Sequence, residues 1–213
     1  MEIKTIQTQT DIKQLLSNKI PFAFSRWGDG EFLNVNKAQG SNCDGNIYYS
    51  DLGDELKQIL QSKQDYYLGV QTLVGYSMNE SKKYPQVWSD SDVFHRASMK
   101  GKLDLTFDML SKEHIVYIGN ESLSSLPFID EFIEIPYNNI WLQRDELIQK
   151  IESTFNDSYK VYCFSAGMAT NVFIHQVWQK NKTNAYIDVG SVFDPYVGRK
   201  TRSYHYGLLI NRL

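Results

Sequence analysis

Cysteine is scarce in this chain of 213 residues, which carries only Cys43 and Cys163. Two thiols so far apart in sequence supply neither a disulfide framework nor the paired spacing of a zinc site. Proline is also sparse, at 5 residues. No Pro/Gly-rich linker, low-complexity block or internal repeat divides the chain, so a single domain over residues 1–213 is expected. Long apolar runs are missing too, and none approaches the ~20 residues that a membrane span requires. Met1-Glu2-Ile3-Lys4-Thr5-Ile6-Gln7 has neither the apolar core of a signal peptide nor the Arg-rich face of a transit sequence, and a reducing cytoplasm is the expected compartment. Nor is there an excess of either charge: 22 Lys+Arg against 25 Asp+Glu leave a formal net of −3. No overall field favours nucleic acid or an anionic membrane, so an anionic ligand must be caught locally.

What the chain does contain is a core. Hydrophobic residues make up 42% and aromatic ones 14%, the balance of an ordered globule. Thr10-Asp11 reads as the start of a helix that buries Ile12, Leu15 and Leu16, and Leu52, Leu56, Ile59 and Leu60 mark one face of another. Short apolar runs at Ile20–Ser25, Tyr66–Val70, Ile115–Ile118, Val161–Phe164 and Tyr186–Val189 read as buried strands, with Phe132–Ile135 as a further one. Between them, helices are expected over Trp141–Phe155, burying Leu142, Leu147, Ile148 and Ile151, and over Met168–Gln179. Residues 76–110 read as helices and loops. This alternation predicts an α/β domain with a largely parallel sheet flanked by helices. Ligands of such sheets bind beyond the carboxyl ends of the strands, which makes one rim of the loops after Ser25, Gly119, Ser165 and Val189.

Several residue groups on that rim could carry chemistry. Asp29-Gly30-Glu31, delivered by the first strand, places two carboxylates at i and i+2, on one side of an extended segment. Oxygen-rich pairs of this kind suit Mg²⁺ or Mn²⁺ bound to a phosphate, although acidic-glycine tripeptides are also ordinary turn material. Arg26 stands beside the pair to balance charge, and Trp27 offers an aromatic surface. Ser165-Ala166-Gly167-Met168-Ala169-Thr170 joins a strand to a helix. Its free N–H groups could hold a phosphate, but it lacks the Lys of a P-loop, and on its own it reads as a plain strand-to-helix turn rather than a phosphate cradle. Asp188 ends an apolar strand, where a carboxylate is costly unless paired or functional. Asp194 follows in the next loop, after Gly190 and Ser191, and Asn120 and Glu121 follow the strand ending at Gly119. Arg199, Lys200, Arg202 and His205 gather into a local basic patch near enough to reach the same rim, with Tyr204 or Tyr206 beside Arg202. His95, His114 and His175 lack metal-ligand spacing and read as structural, and Cys163 reads as a core thiol.

The segment Phe24-Ser25-Arg26-Trp27-Gly28-Asp29-Gly30-Glu31-Phe32 resembles the strand and Asp-X-Glu loop that open the GT-D type glycosyltransferases, a bacterial group once catalogued as a domain of unknown function. Ile135-Pro136-Tyr137-Asn138-Asn139, Arg144-Asp145-Glu146, the Ser165–Thr170 turn and Ile187-Asp188-Val189-Gly190 follow in the order that family uses, so the resemblance spans about Phe22 to Asp194. It implies a Rossmann-like fold, a nucleoside diphosphate sugar donor such as a UDP-sugar, a glycan or glycoprotein acceptor, and a divalent cation (Mn²⁺ or Mg²⁺) at Asp29 and Glu31. Arg26, Trp27, Gly28, Gly30, Asn120, Ala166, Gly167, Gly190, Ser191, Arg202 and His205 would then border the donor. Asp188, Asp194 and Glu121 are the candidate catalytic bases, any of which could take the acceptor's proton if the transfer inverts. The sequence departs from the family at Ser191, where many members carry His. A metal-dependent phosphoesterase and a noncatalytic nucleotide-sugar-binding subunit are the alternatives.

Overall fold

A computed structural model describes residues 4–99, 103–202 and 205 of the protein. Helix α1 (Gln9–Ser17) opens with a capping box, in which the Thr8 backbone N–H donates to the Asp11 carboxylate at 2.8 Å. The chain continues through β1 (Phe22–Trp27), α2 (Asp29–Val35), α3 (Ser50–Gln61), β2 (Tyr67–Val70), α4 (Gly75–Ser81), β3 (Trp88–Asp90), α5 (Val93–Met99) and α6 (Leu103–Leu110). Its second half holds β4 (Ile115–Gly119), β5 (Glu131–Glu134), α7 (Arg144–Glu152), β6 (Val161–Phe164), α8 (Thr170–Lys180) and β7 (Ala185–Asp188), with 3₁₀ turns between.

The described strands form one seven-stranded sheet in the order β3-β2-β1-β7-β6-β4-β5, parallel throughout. Both faces are covered, which is why the strands read as continuous apolar runs rather than alternating ones. Along β4, Val116 and Ile118 pack on one side with residues of α2, α3, α7 and α8. Ile115 and Tyr117 pack on the other with residues of α1, α5 and α6. No helix of the described residues is long and apolar enough to cross a membrane.

Strand order decides where a ligand can enter. From β1 the chain moves outward to β2 and β3, then re-enters on the far side and returns through β6 to β7, which pairs with β1. β1 and β7 therefore end side by side, and the loops that follow them border one crevice beyond their carboxyl ends.

Three local readings change. Trp88–Asp90 is a strand inside a region read as helices and loops; at three residues on a sheet edge it is too short to show a period. The helix expected from Trp141 begins as a 3₁₀ turn, Ile140–Gln143, and becomes α-helical only at Arg144. The tighter turn rotates Leu142 off the buried face, leaving it 67% exposed while Ile140 and Trp141 are buried. Likewise Gly167–Ala169 is a 3₁₀ turn ahead of α8.

Candidate active site

The end of β1 splits its residues between core and cleft. Trp27 is fully buried and donates its indole N–H to the Ser25 hydroxyl at 3.0 Å. It therefore offers no surface to a ligand, contrary to expectation, because strand alternation turns it inward among Phe32 and its neighbours. Arg26 points the other way, with its Nε donating to the Ser91 carbonyl at 3.0 Å, while its own carbonyl accepts the Asn171 side-chain amide at 3.0 Å.

Asp29-Gly30-Glu31 is the first turn of α2 rather than an extended loop, with Gly28 as its N-cap. Residues two apart on a helix are turned by about 200°, so the carboxylates do not stand side by side as they would on an extended segment. Asp29 is exposed, whereas Glu31 folds back and its Oε2 accepts the Gly28 N–H at 2.8 Å. Both nevertheless border the same cavity, of about 490 Å³, a volume suited to a ligand of nucleotide-sugar size.

Across the crevice, Asp188 ends β7 and its Oδ1 accepts the Gly190 N–H at 2.9 Å. Gly190 holds φ +54, and the Ser165 hydroxyl, itself 2.7 Å from the Tyr117 hydroxyl, donates to its carbonyl at 2.6 Å. Gly167, at φ +62, makes the corresponding turn after β6. Left-handed backbone at both points favours glycine and lets the loops close around the cavity.

Electrostatically the cleft is an acid pair facing arginines. Burial pushes the Glu31 carboxyl up to about 7, with Asp188 and Asp29 adding repulsion and the Glu31 and Gly28 backbone N–H groups opposing it. Burial also lifts Asp188 to about 6, against the pull of the Arg26 guanidinium. Arg26, Gly28, Gly30, Gly167, Gly190, Ser191 and Arg202 all border the cavity. Among the described residues no group of three or more His, Cys, Asp or Glu side chains gathers to hold a metal ion. The acids present suit the other mode, in which a hard cation takes one or two carboxylates and completes its shell with water and phosphate oxygens.

Other expected residues lie elsewhere. Asp194 and Asn120 border a neighbouring space of about 90 Å³. There the Asp194 carboxyl, raised by burial, accepts the Thr201 hydroxyl and lies 3.7 Å from Arg199. Glu121 is exposed on the 3₁₀ turn Glu121–Ser125 and borders neither space, because that turn directs it to solvent. Ala166 is buried in the core beside Met168. His205 is fully buried and accepts the Thr201 and Arg202 N–H groups at 3.1 and 3.2 Å; burial and Arg202 push it down to about 4. It shapes the segment that carries Arg202 rather than lining the cavity. Arg202 does reach the cleft, but grips Asp44 with both Nη atoms at 2.5 Å. Tyr204 and Tyr206 lie outside the described residues. Cys163 is the buried thiol expected, its pKa raised by burial.

Sequence reading also missed residues that line the main cavity: Asn42, Asp44, Tyr48, Gln71 and His95. Gln71 directly follows β2, so the carboxyl-end rule applied to that strand would have found it. Nothing in Asn42-Cys43-Asp44-Gly45-Asn46 separates it from ordinary turn sequence. His95, read as structural, borders the cleft, whereas His114 lies 2.7 Å from Glu131 and His175 lies 3.4 Å from the Tyr66 hydroxyl.

No protein-family model matches the chain, and no curated protein matches it in sequence. Solved structures do match. A selenomethionine-substituted structure of domain of unknown function 1792 (DUF1792) superposes with a TM-score of 0.71 at 15% identity, covering 95% of this chain and 88% of that one. A structure described as a new glycosyltransferase (DUF1792) from Streptococcus sanguinis follows with a TM-score of 0.69 at 13% identity, over 90% and 83% of the two chains. The chain has the fold of the DUF1792 domains. The resemblance to GT-D type glycosyltransferases thus agrees with the structural neighbours, and at these identities the likeness is one of fold.

Proposed function

We propose that the protein is a glycosyltransferase that moves a sugar from a nucleoside diphosphate sugar, a UDP-sugar foremost, to a hydroxyl of a glycan or glycoprotein, with Mn²⁺ or Mg²⁺ as its cation. The observation that carries this reading is the cleft at the β1/β7 crevice, where Asp29, Glu31 and Asp188 share one cavity with Arg26 and Arg202. A diphosphate brings negative charge that the arginines answer directly. The acids need a cation to meet it, and Asp29 with Glu31 would hold one. Bound there, the cation supplies neutralisation of charge on the departing nucleoside diphosphate.

The chain's own groups do the rest. Arg26, held by the Ser91 carbonyl, presents a guanidinium to the phosphates, and Gly167 and Gly190 leave room for the donor. Removal of the acceptor's proton in an inverting transfer needs a base, and of the three acids expected for it only Asp188 borders the main cavity. A reducing cytoplasm suits the two free thiols, Cys43 and Cys163.

The test is a panel of nucleoside diphosphate sugars with Mn²⁺ or Mg²⁺, scored for nucleoside diphosphate release with and without acceptor glycans. Release that rises with acceptor and disappears with chelator is expected. Hydrolysis of phosphate esters with no glycoside formed would replace this reading with a phosphoesterase.

A further inference from the structure

The loop after β3 places a buried acid behind a residue of the cleft wall. Asp92 is 1% exposed, and its Oδ2 accepts the backbone N–H groups of Thr72 at 2.7 Å and Leu73 at 3.0 Å together with the Thr72 hydroxyl at 3.0 Å. Its Oδ1 is buried with no hydrogen-bond partner, an arrangement that native proteins rarely leave without a use. That oxygen lies 3.8 Å from Nδ1 of His95, one helical turn further along. The His95 side chain is 18% exposed and borders the same cavity as Asp188 and Arg26.

We propose that His95, oriented by Asp92, accepts the proton of the acceptor hydroxyl, while Asp188 serves as counter-ion to Arg26. The proposal rests on the transferase reading above and names the proton acceptor within it. A carboxylate behind Nδ1 favours the tautomer with the proton on that nitrogen and leaves Nε2 basic. The separation is longer than a hydrogen bond, but a shift of under about 1 Å closes it, and catalytic hydrogen bonds commonly tighten only with substrate bound. Among the described residues, the charged groups acting on the ring include Asp92 and Arg96 on its own segment and Arg26 on β1, with the neutral His205 of the C-terminal segment nearby. Burial and the two arginines lower its proton affinity and Asp92 opposes them, which keeps the imidazole neutral and able to accept. Asp188, by contrast, is tied down by the Gly190 and Arg26 backbone N–H groups and faces the Arg26 charge.

In the step itself, the acceptor oxygen forms a bond to the donor's anomeric carbon as the bond from that carbon to the diphosphate oxygen breaks. The electron pair of the broken bond leaves on the diphosphate, and the hydroxyl proton passes to His95, which returns it to solvent.

The test compares wild type, His95→Gln and Asp92→Asn for donor binding by calorimetry and for transfer across pH. Asp92→Asn keeps a carbonyl oxygen for Thr72 and Leu73, so it separates orientation from folding. His95→Gln is expected to lower kcat by about 100-fold or more, to leave donor Kd within about twofold, and to remove from the acid limb of the pH profile the part set by the imidazole, leaving the part set by Glu31 and Asp188. Asp92→Asn should cost about tenfold and move that limb to lower pH, because the removed carboxylate raised the imidazole pKa. A His95→Gln enzyme with wild-type kcat and profile, or one that loses donor affinity as steeply as kcat, overturns the proposal alone. Absence of transfer by the wild type from any donor overturns the transferase reading and this assignment with it.

Discussion

Nη1 of Arg26 occupies the space in which a side chain at position 190 would begin, since a Cβ built on Gly190 falls 2.6 Å from it. Two strands adjacent in space but more than 150 residues apart in sequence thus meet at the centre of the cleft, with Asp188 as the charge between them. The Gly190 turn cannot change without moving the guanidinium.

Gly190→Ala should therefore do two separable things. The left-handed backbone at φ +54 costs a non-glycine residue about 1–2 kcal/mol, read as a lower midpoint in urea unfolding. The displaced Arg26 should weaken nucleoside diphosphate binding by calorimetry. Wild-type affinity in this variant would mean that Arg26 does not touch the diphosphate.

Glu31→Gln should lose transfer yet melt higher than wild type at neutral pH when no divalent cation is added. The folded carboxyl binds its proton up to about 7, against 4.5 in the unfolded chain. Between those values the folded state holds the extra proton, so rising pH removes stability that glutamine, which does not titrate, retains. The difference in Tm between variant and wild type should grow from pH 4.5 to 7.5 and shrink again when Mn²⁺ is supplied. A difference that stays flat with pH would show that Glu31 is not desolvated in the fold.

Arg202 and Asp44 should affect donor binding in opposite directions. Arg202 now gives both Nη atoms to Asp44, a bidentate grip that a diphosphate could take over. Asp44→Asn is expected to tighten UDP binding by several-fold and Arg202→Lys to weaken it despite the conserved charge. If both variants weaken binding alike, Asp44 positions Arg202 for the ligand instead of competing for it.

Much of the architecture was legible because it depends on local pattern. The apolar runs at β1, β4, β6 and β7 are buried on both faces, so their composition alone marks them as strands of a parallel α/β sheet. Asp188 could be singled out because a carboxylate at the end of such a run is costly wherever the chain goes. Arg26, Asp29, Glu31, Gly167 and Gly190 could be placed on one rim because strand ends share a side of the sheet. Tertiary structure alone decided the rest. Trp27 belongs to the core because alternation and the helices above β1 turn it inward. Glu121 and Asp194 fall outside the main cavity because the turns that carry them close elsewhere. Asp44, Gln71 and His95 meet at the cleft, with Asp92 behind His95, only through the sheet order β3-β2-β1-β7. Local sequence sets which segments become strands through backbone sterics and burial. Which strand ends become neighbours is set by packing between residues far apart in the chain, and no local pattern carries that information.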